Sequence, residues 1–222
     1  SIEKFDAIYQ RAAERKGGED QLEALLSHPL SKEELAAIPN DRWLAAFSMK
    51  VFQSGISWSV VRKKWPNFEK AFDGFDVHYW AMMADEEMGR LMQDSSIIRN
   101  AMRLSSVGKN ALYFKDIITA HGSVGAYFAS WDPNEYFENV MTMRKRSSRL
   151  GGTSGMIFLR RMGLESLVFS HDVVMALVAN GVVDKTPNSK RDMAATQAAV
   201  SKWRDESGRT LSEISQILAM SV

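Results

Sequence analysis

Apolar residues recur three and four apart along most of this chain. Leu44, Phe47, Met49, Val51 and Phe52 form one such run, and Ile98, Met102 and Leu104 another. That spacing lines up one face of an α-helix, which must bury against another element. No clean apolar–polar alternation persists over a strand length beside a hairpin turn. Ser166-Leu167-Val168-Phe169 reads either as a short strand or as an extended connection. Helix starts are signalled by chemistry as well. Ser31…Glu34, Asp132-Pro133-Asn134-Glu135 and Thr210…Glu213 are capping boxes, in which a side-chain oxygen meets free amides while the acid reaches back. Asp85-Glu86-Glu87 puts carboxylates at the positive end of a first turn. Gly17-Gly18 separates a first helix from one carrying Leu22, Leu25 and Leu26, and Pro187-Asn188-Ser189 starts a helix running from Ala194 to about Arg204. The expectation is an all-α fold of roughly ten helices, in a single domain over residues 1–222.

Composition removes several chemistries. With 222 residues, 45% hydrophobic and 25% charged, the chain has the make-up of an ordinary globular domain, which excludes general disorder. It has no cysteine, so disulfides, thiolate nucleophiles and cysteine-based zinc or iron–sulfur sites are excluded. The longest apolar run, Val173 to Ala179, is too short to span a bilayer, and Ile2 to Gly18 is mixed and polar. These features lead us to expect a cytoplasmic protein with no membrane partner. Lys+Arg 28 and Asp+Glu 27 nearly cancel, so any nucleic-acid surface must be a local concentration of charge.

One such concentration exists. Helical pattern through Val140 and Met143 leads into Arg144-Lys145-Arg146-Ser147-Ser148-Arg149, then Leu150-Gly151-Gly152 turns the chain and Thr153-Ser154 opens a second helix ending near Gly163. Six basic and no acidic residues lie between Arg144 and Arg161. Glycines allow backbone to approach backbone or phosphate, and amides at a helix start bind phosphate oxygens, with Thr153 and Ser154 adding hydroxyl donors. The plain alternative is a solvated helix end followed by an ordinary glycine cap.

A second stretch, Phe52-Gln53-Ser54-Gly55-Ile56-Ser57-Trp58, interrupts a helix with Gly55 just before a tryptophan. A glycine break beside an indole can open a slot for a flat ligand, although a tryptophan among aliphatics is also an ordinary core residue.

These residues, with Val61-Arg62-Lys63-Lys64, Phe68, Phe72, Phe75-Asp76, Leu91-Met92-Gln93-Asp94, Ile97-Ile98-Arg99-Asn100, Arg103-Leu104 and Asn110-Ala111, resemble the core of the DNA-3-methyladenine glycosylase I family. The hairpin Leu150-Gly151-Gly152-Thr153 fits that family's helix-hairpin-helix. The first and last forty residues match poorly. The resemblance implies a helix-hairpin-helix DNA glycosylase of base-excision repair: a base-pocket region over about 41–115 and a hairpin region over about 139–163. Its partner would be duplex DNA containing a damaged base, gripped by Lys145, Arg149, Leu150, Gly151, Gly152, Thr153 and Ser154. The extruded alkylated purine would meet Trp58, Gln53, Phe52 and Gly55, and water would cleave its N-glycosidic bond. The expected protein is a monofunctional, monomeric hydrolase without cofactor.

Three departures qualify the resemblance. The family carries a glutamate three residues before the glutamine that corresponds to Gln53; here that position is Lys50. An ammonium in place of a carboxylate turns attraction for a cationic base into repulsion, several kcal/mol at an effective dielectric of about 20. Lys50 is therefore either a snorkelling side chain, a repulsive pocket group or, if desolvated, an amine nucleophile. A glycosylase-fold DNA-binding protein without alkylpurine activity, or one specific for another lesion, is the alternative function. The family's zinc site is also lost, with no cysteine and with Asp172 in place of a histidine; His28, His78, His121 and His171 share no ligand spacing, so no metal is expected. Finally, the superfamily's catalytic aspartate would fall near Ser170, leaving Asp172, two residues on, as either the catalytic carboxylate or a cap for a helix starting at Val173.

Overall fold

The computed structural model describes residues 2–222. Among them are fourteen α-helices and no strand: α1 (Phe5–Lys16), α2 (Glu19–Leu25), α3 (Lys32–Ala37), α4 (Asn40–Gln53), α5 (Trp58–Ala71), α6 (Val77–Ala81), α7 (Asp85–Met92), α8 (Ala101–His121), α9 (Val124–Ala129), α10 (Tyr136–Arg146), α11 (Ser154–Met162), α12 (His171–Ala179), α13 (Lys190–Ser207) and α14 (Leu211–Met220). The excess over the expected ten consists of short helices such as α3, α6 and α9. Pieces of one or two turns are too short for a 3.6-residue period to show.

Two of the boxes close as expected, Ser31 with Glu34 and Thr210 with Glu213. Asp132 instead receives the Asn134 amide and starts a 3-10 turn ahead of α10. Two expectations need correction, and one alternative left open is resolved. Ile98 lies outside any helix, because Asn100 caps α8 and accepts the Arg103 amide. The helix expected from Ala194 begins a turn earlier, at Lys190, with Ser189 as its cap. Residues 166–169 are extended but unpaired with any strand: the Ser166 and Val168 amides are met by the Ser212 and Ser215 hydroxyls of α14, and Leu167 O accepts the Tyr136 hydroxyl at 2.7 Å.

The chain divides into two compact units. One takes in the chain up to Leu30, Trp131–Thr142 and Gly155–Val222. Its core is α14 packed on α1, α12 and α13, with Trp203, Leu211, Ile214, Ile217 and Leu218 fully buried. The other comprises Ser31–Ser130 and Met143–Ser154. There α8 is the central helix, flanked by α4, α6, α7 and α9. Its core is aromatic: Phe68 stacks on Trp65, Phe72 on Phe75, and Phe47 on Phe114. At Gly125 a Cβ would collide with the Leu35 carbonyl, which is why α9 can lie directly on α3.

Candidate functional site

The second unit holds both stretches singled out from the sequence. Its α4 ends in a buried polar turn. Lys50 is 7% exposed and Gln53 6%, and residues three apart share one helix face. A lysine reaching to solvent is therefore not what the fold presents; its side chain is inside. Beyond α4 the chain bends at Gly55, whose φ of 109° suits glycine alone. A Cβ there would also lie 2.6 Å from Arg103 Nη2. Arg103 reaches from α8 to donate to Ser54 O at 2.6 Å and Val51 O at 3.3 Å, closing the open carbonyls of the helix end. Gly55 thus makes room for a guanidinium.

After the bend, α5 begins with Trp58, which is 49% exposed, with the Arg62 guanidinium 5.4 Å over its ring. Phe52 is placed differently. It is fully buried, 4.7 Å and edge-on to Phe68, so it supports the helix end from behind.

The basic turn is held from two sides. Asn110 of α8, fully buried, clamps Ser148 with both ends of its carboxamide: Oδ1 accepts the Ser148 amide at 2.7 Å and Nδ2 donates to its carbonyl at 3.0 Å. Arg144 donates to Gly152 O at 3.2 Å across the turn. Arg146 lies over Tyr113 and faces Asp116. Lys145 and Arg149 are exposed, while Leu150 is buried and anchors the turn. Arg149 itself sits at φ 70°, a left-handed conformation that costs a branched or long residue about 1 kcal/mol or more. Gly152 is also left-handed, at 57°. A Cβ at Gly151 or Gly152 would meet nothing within 4 Å. Close approach of protein backbone is therefore not the reason for these glycines; they leave an open, unobstructed backbone face.

One hydrogen bond joins the two stretches. Ser54 Oγ at the end of α4 lies 3.0 Å from Ser154 Oγ at the start of α11, and it donates to Lys50 O at 2.9 Å. The polar helix end and the basic turn are thus connected through two serines. Sequence reading missed the roles of Arg103, Asn110, Ser54 and Ser148, since arginines and asparagines within a helix carry no local signal of what they reach.

The first unit places the remaining candidates. Asp172 is exposed in the first turn of α12, and the cap of that helix is Ser170, whose hydroxyl accepts the Val173 amide. The capping role considered for Asp172 thus belongs to Ser170. Of the six basic residues, Arg160 works inward, donating to Ser215 Oγ at 3.2 Å, with burial lowering its pKa. Among the described residues no group of three or more acidic or histidine side chains is arranged to hold a metal, and no helix is long and apolar enough to cross a membrane.

The fold and site define an all-helical protein in which a glycine-broken polar helix end is tied to a basic turn. Residues 37–185 match the family described as methyladenine glycosylase. The chain belongs to that family. Over 59 residues it is 39% identical to DNA-3-methyladenine glycosylase 1 of Escherichia coli, a stretch covering 27% of this chain and 32% of that protein. It is 37% identical over 59 residues to the DNA-3-methyladenine glycosylase of Haemophilus influenzae, again 27% of this chain and 32% of that protein. The chain thus spans about a third of the length of the curated relatives it matches. Among solved structures it is similar to 3-methyladenine DNA glycosylase I from Staphylococcus aureus, with TM-score 0.51 and 18% identity over 62% of this chain and 80% of that one. That likeness shows a common fold.

Proposed function

We propose that this chain is a monofunctional DNA N-glycosylase of base-excision repair that hydrolyses the bond between deoxyribose and an alkylated purine. Family membership supports the reading, and one observation carries it: a half-exposed indole, a buried polar helix end and a basic turn belong to one compact unit, linked by Ser54 and Ser154.

In this reading the segment from α10 to α11 is a helix-hairpin-helix. The open backbone of Gly151 and Gly152 and the first amides of α11 receive a phosphate, with the Thr153 and Ser154 hydroxyls as further donors and Lys145 and Arg149 as counter-charges. Such contacts are independent of sequence and weaken with salt. The damaged nucleotide swings out of the stack, and its base lies against Trp58 with Gln53 at its edge. Water oxygen then bonds to C1′ as the C1′–N9 bond breaks, and the bonding pair leaves with the base. A purine alkylated at N3 carries a positive charge, so it departs as a neutral molecule. The proton that the water loses passes to solvent. The alternative, a glycosylase fold that binds DNA without this activity, draws on Lys50, a buried amine in place of a carboxylate that would attract a cationic base.

The test is chromatography of free purines released from methylated duplex DNA. Wild type is expected to release alkylpurine. Trp58→Ala is expected to lose about 10- to 100-fold, the worth of one base–aromatic stack. Wild type that binds DNA but releases no purine supports the alternative.

A further inference from the structure

The outer face of α5 carries charge of one sign. Its inner face, Val61, Trp65, Phe68 and Ala71, is buried, with Trp65 stacked on Phe68 and Phe75. Outward it presents Trp58, Arg62, Lys63 and Lys70, all exposed. Between Asp41 and Glu69 the chain has no acidic residue. Glu69, the one carboxylate on α5, is already taken, since Arg42 donates to its two oxygens at 2.8 and 3.0 Å. Among the described residues Arg62, Lys63, Lys64 and Lys70 form no ion pair.

Two ordinary accounts of such charge do not fit. A solvated helix face mixes signs, as α13 does with Lys202 and Arg204 beside Asp205 and Glu206. Helix stability favours cations in the last turn, whereas Arg62 and Lys63 lie in the first half of α5, toward its positive end. What the position offers is proximity to the indole. Arg62 follows Trp58 by one turn, and its guanidinium lies 5.4 Å over that ring. Trp58 in turn comes four residues after Ser54, whose hydroxyl lies 3.0 Å from that of Ser154. Followed from the basic turn, the path runs through Ser54 to the indole and then to these cations. A nucleotide whose base lies on Trp58 brings its own backbone within reach of side chains that flank the same ring.

We infer that the outer face of α5 is a second DNA-backbone site: Arg62 and Lys63, with Lys70 further along, bind phosphates of the damaged strand on the side of the extruded nucleotide away from the basic turn. The strand is then held on both sides of the nucleotide that leaves the stack, and these contacts offset part of the cost of unstacking it. This rests on the DNA-binding part of the glycosylase reading and adds a surface to it.

The probe is a labelled duplex with one tetrahydrofuran abasic analogue, which fixes the register and leaves no base to stack on Trp58. Its dissociation constant is read by fluorescence anisotropy over a series of salt concentrations, where each phosphate contact contributes about 0.9 to the log–log slope. Arg62→Gln/Lys63→Gln is expected to weaken binding and to make the slope shallower by about two contacts. Arg62→Lys/Lys63→Arg, which keeps both charges, is expected to keep the slope. Lys32→Gln removes an exposed cation from α3 of the same unit and is expected to leave it unmoved. Adding Arg149→Asn to the α5 pair should sum the losses, because different phosphates are involved. The substituted α5 side chains are exposed, so the thermal midpoint is expected to stay at the wild-type value. A slope unmoved by Arg62→Gln/Lys63→Gln, or moved as much per charge by Lys32→Gln, overturns the inference and leaves the glycosylase reading standing. Purine release from methylated DNA is scored separately: wild type that releases none overturns the glycosylase reading, while the slopes still decide whether α5 holds the backbone.

Discussion

In the unit that holds α1 and α14, polar side chains tie one piece of the chain to another. Trp203 Nε1 donates to Glu3 O, the Phe5 amide meets Glu206, and Arg11 Nε reaches Ser221 O. Arg209 pairs with Glu23 and Glu213, and the α14 serines satisfy the extended stretch around Leu167. In the other unit several buried polar side chains sit at the end of α4 and behind the basic turn. Lys50 and Gln53 are buried at the end of α4, where Arg103 holds the bend, and buried Asn110 clamps Ser148 of the basic turn. The first arrangement closes a fold. The second fixes the backbone around an exposed indole and two exposed cations, which is what a binding surface needs: side chains held from behind and a face left uncovered.

Cutting the chain after Thr186 gives the largest effect expected. It removes α13 and α14 and with them Trp203, Leu211, Ile214, Ile217 and Leu218, all fully buried. Losing even one such tryptophan costs about 3–5 kcal/mol, comparable with the stability of a whole domain. Circular dichroism is expected to show the cooperative thermal transition lost or greatly lowered. An unchanged midpoint would mean that the C-terminal helices close nothing.

Gly55→Ala comes next. A strained φ and the collision with Arg103 are expected to destabilise by about 2–3 kcal/mol in urea unfolding. Arg103→Ala in the same chain should recover part of the loss, because the two positions share one contact and are not additive. Full additivity would separate the bend from the arginine.

Arg149→Asn separates binding from folding. Asparagine tolerates the left-handed backbone, so stability is expected to stay within about 0.5 kcal/mol of wild type or rise, while DNA affinity falls and the salt slope becomes shallower by about one charge. An unchanged slope would remove the turn from the DNA surface.

The smallest effect belongs to the first unit. Arg11 holds the Glu3 carboxyl below its usual range through paired hydrogen bonds that outweigh the opposing effect of burial. A carboxyl lowered in the folded state stabilises above its unfolded pKa, and the gain fades as pH falls through the folded value. Both partners are partly exposed and screened, so Glu3→Gln is expected to cost no more than about 1 kcal/mol at neutral pH, and next to nothing in acid where both states are protonated. A loss that persists in acid would mean that packing, not charge, holds the N-terminus.

Much of this was legible in the sequence because it is local. The capping pairs Ser31–Glu34 and Thr210–Glu213 close within four residues, and Gly151-Gly152 between helical runs marks a turn by itself. The charge cluster that holds the exposed Lys145 and Arg149 was also readable, while for Trp58, half-exposed at the start of α5, the sequence left both a ligand slot and a core place open. What escaped depends on distant partners. The hydrogen bond between Ser54 and Ser154 joins residues a hundred positions apart, and the clamp of Asn110 on Ser148 joins α8 to the basic turn. The resemblance put Phe52 against the base, yet helical geometry turns it toward Phe68 and the core. Lys50 looked able to reach water, as most lysines do, and only packing shows it buried.

The decisive measurement is a crystal structure of the protein with duplex DNA carrying a non-cleavable nucleotide analogue at the lesion. The expected result is one nucleotide out of the stack with its base against Trp58, ring centroids about 4.5–7 Å apart, and a flanking phosphate within hydrogen-bond reach of the amides between Gly151 and Ser154. A duplex bound on any other surface, or an undisturbed stack with Trp58 far from every base, would contradict it.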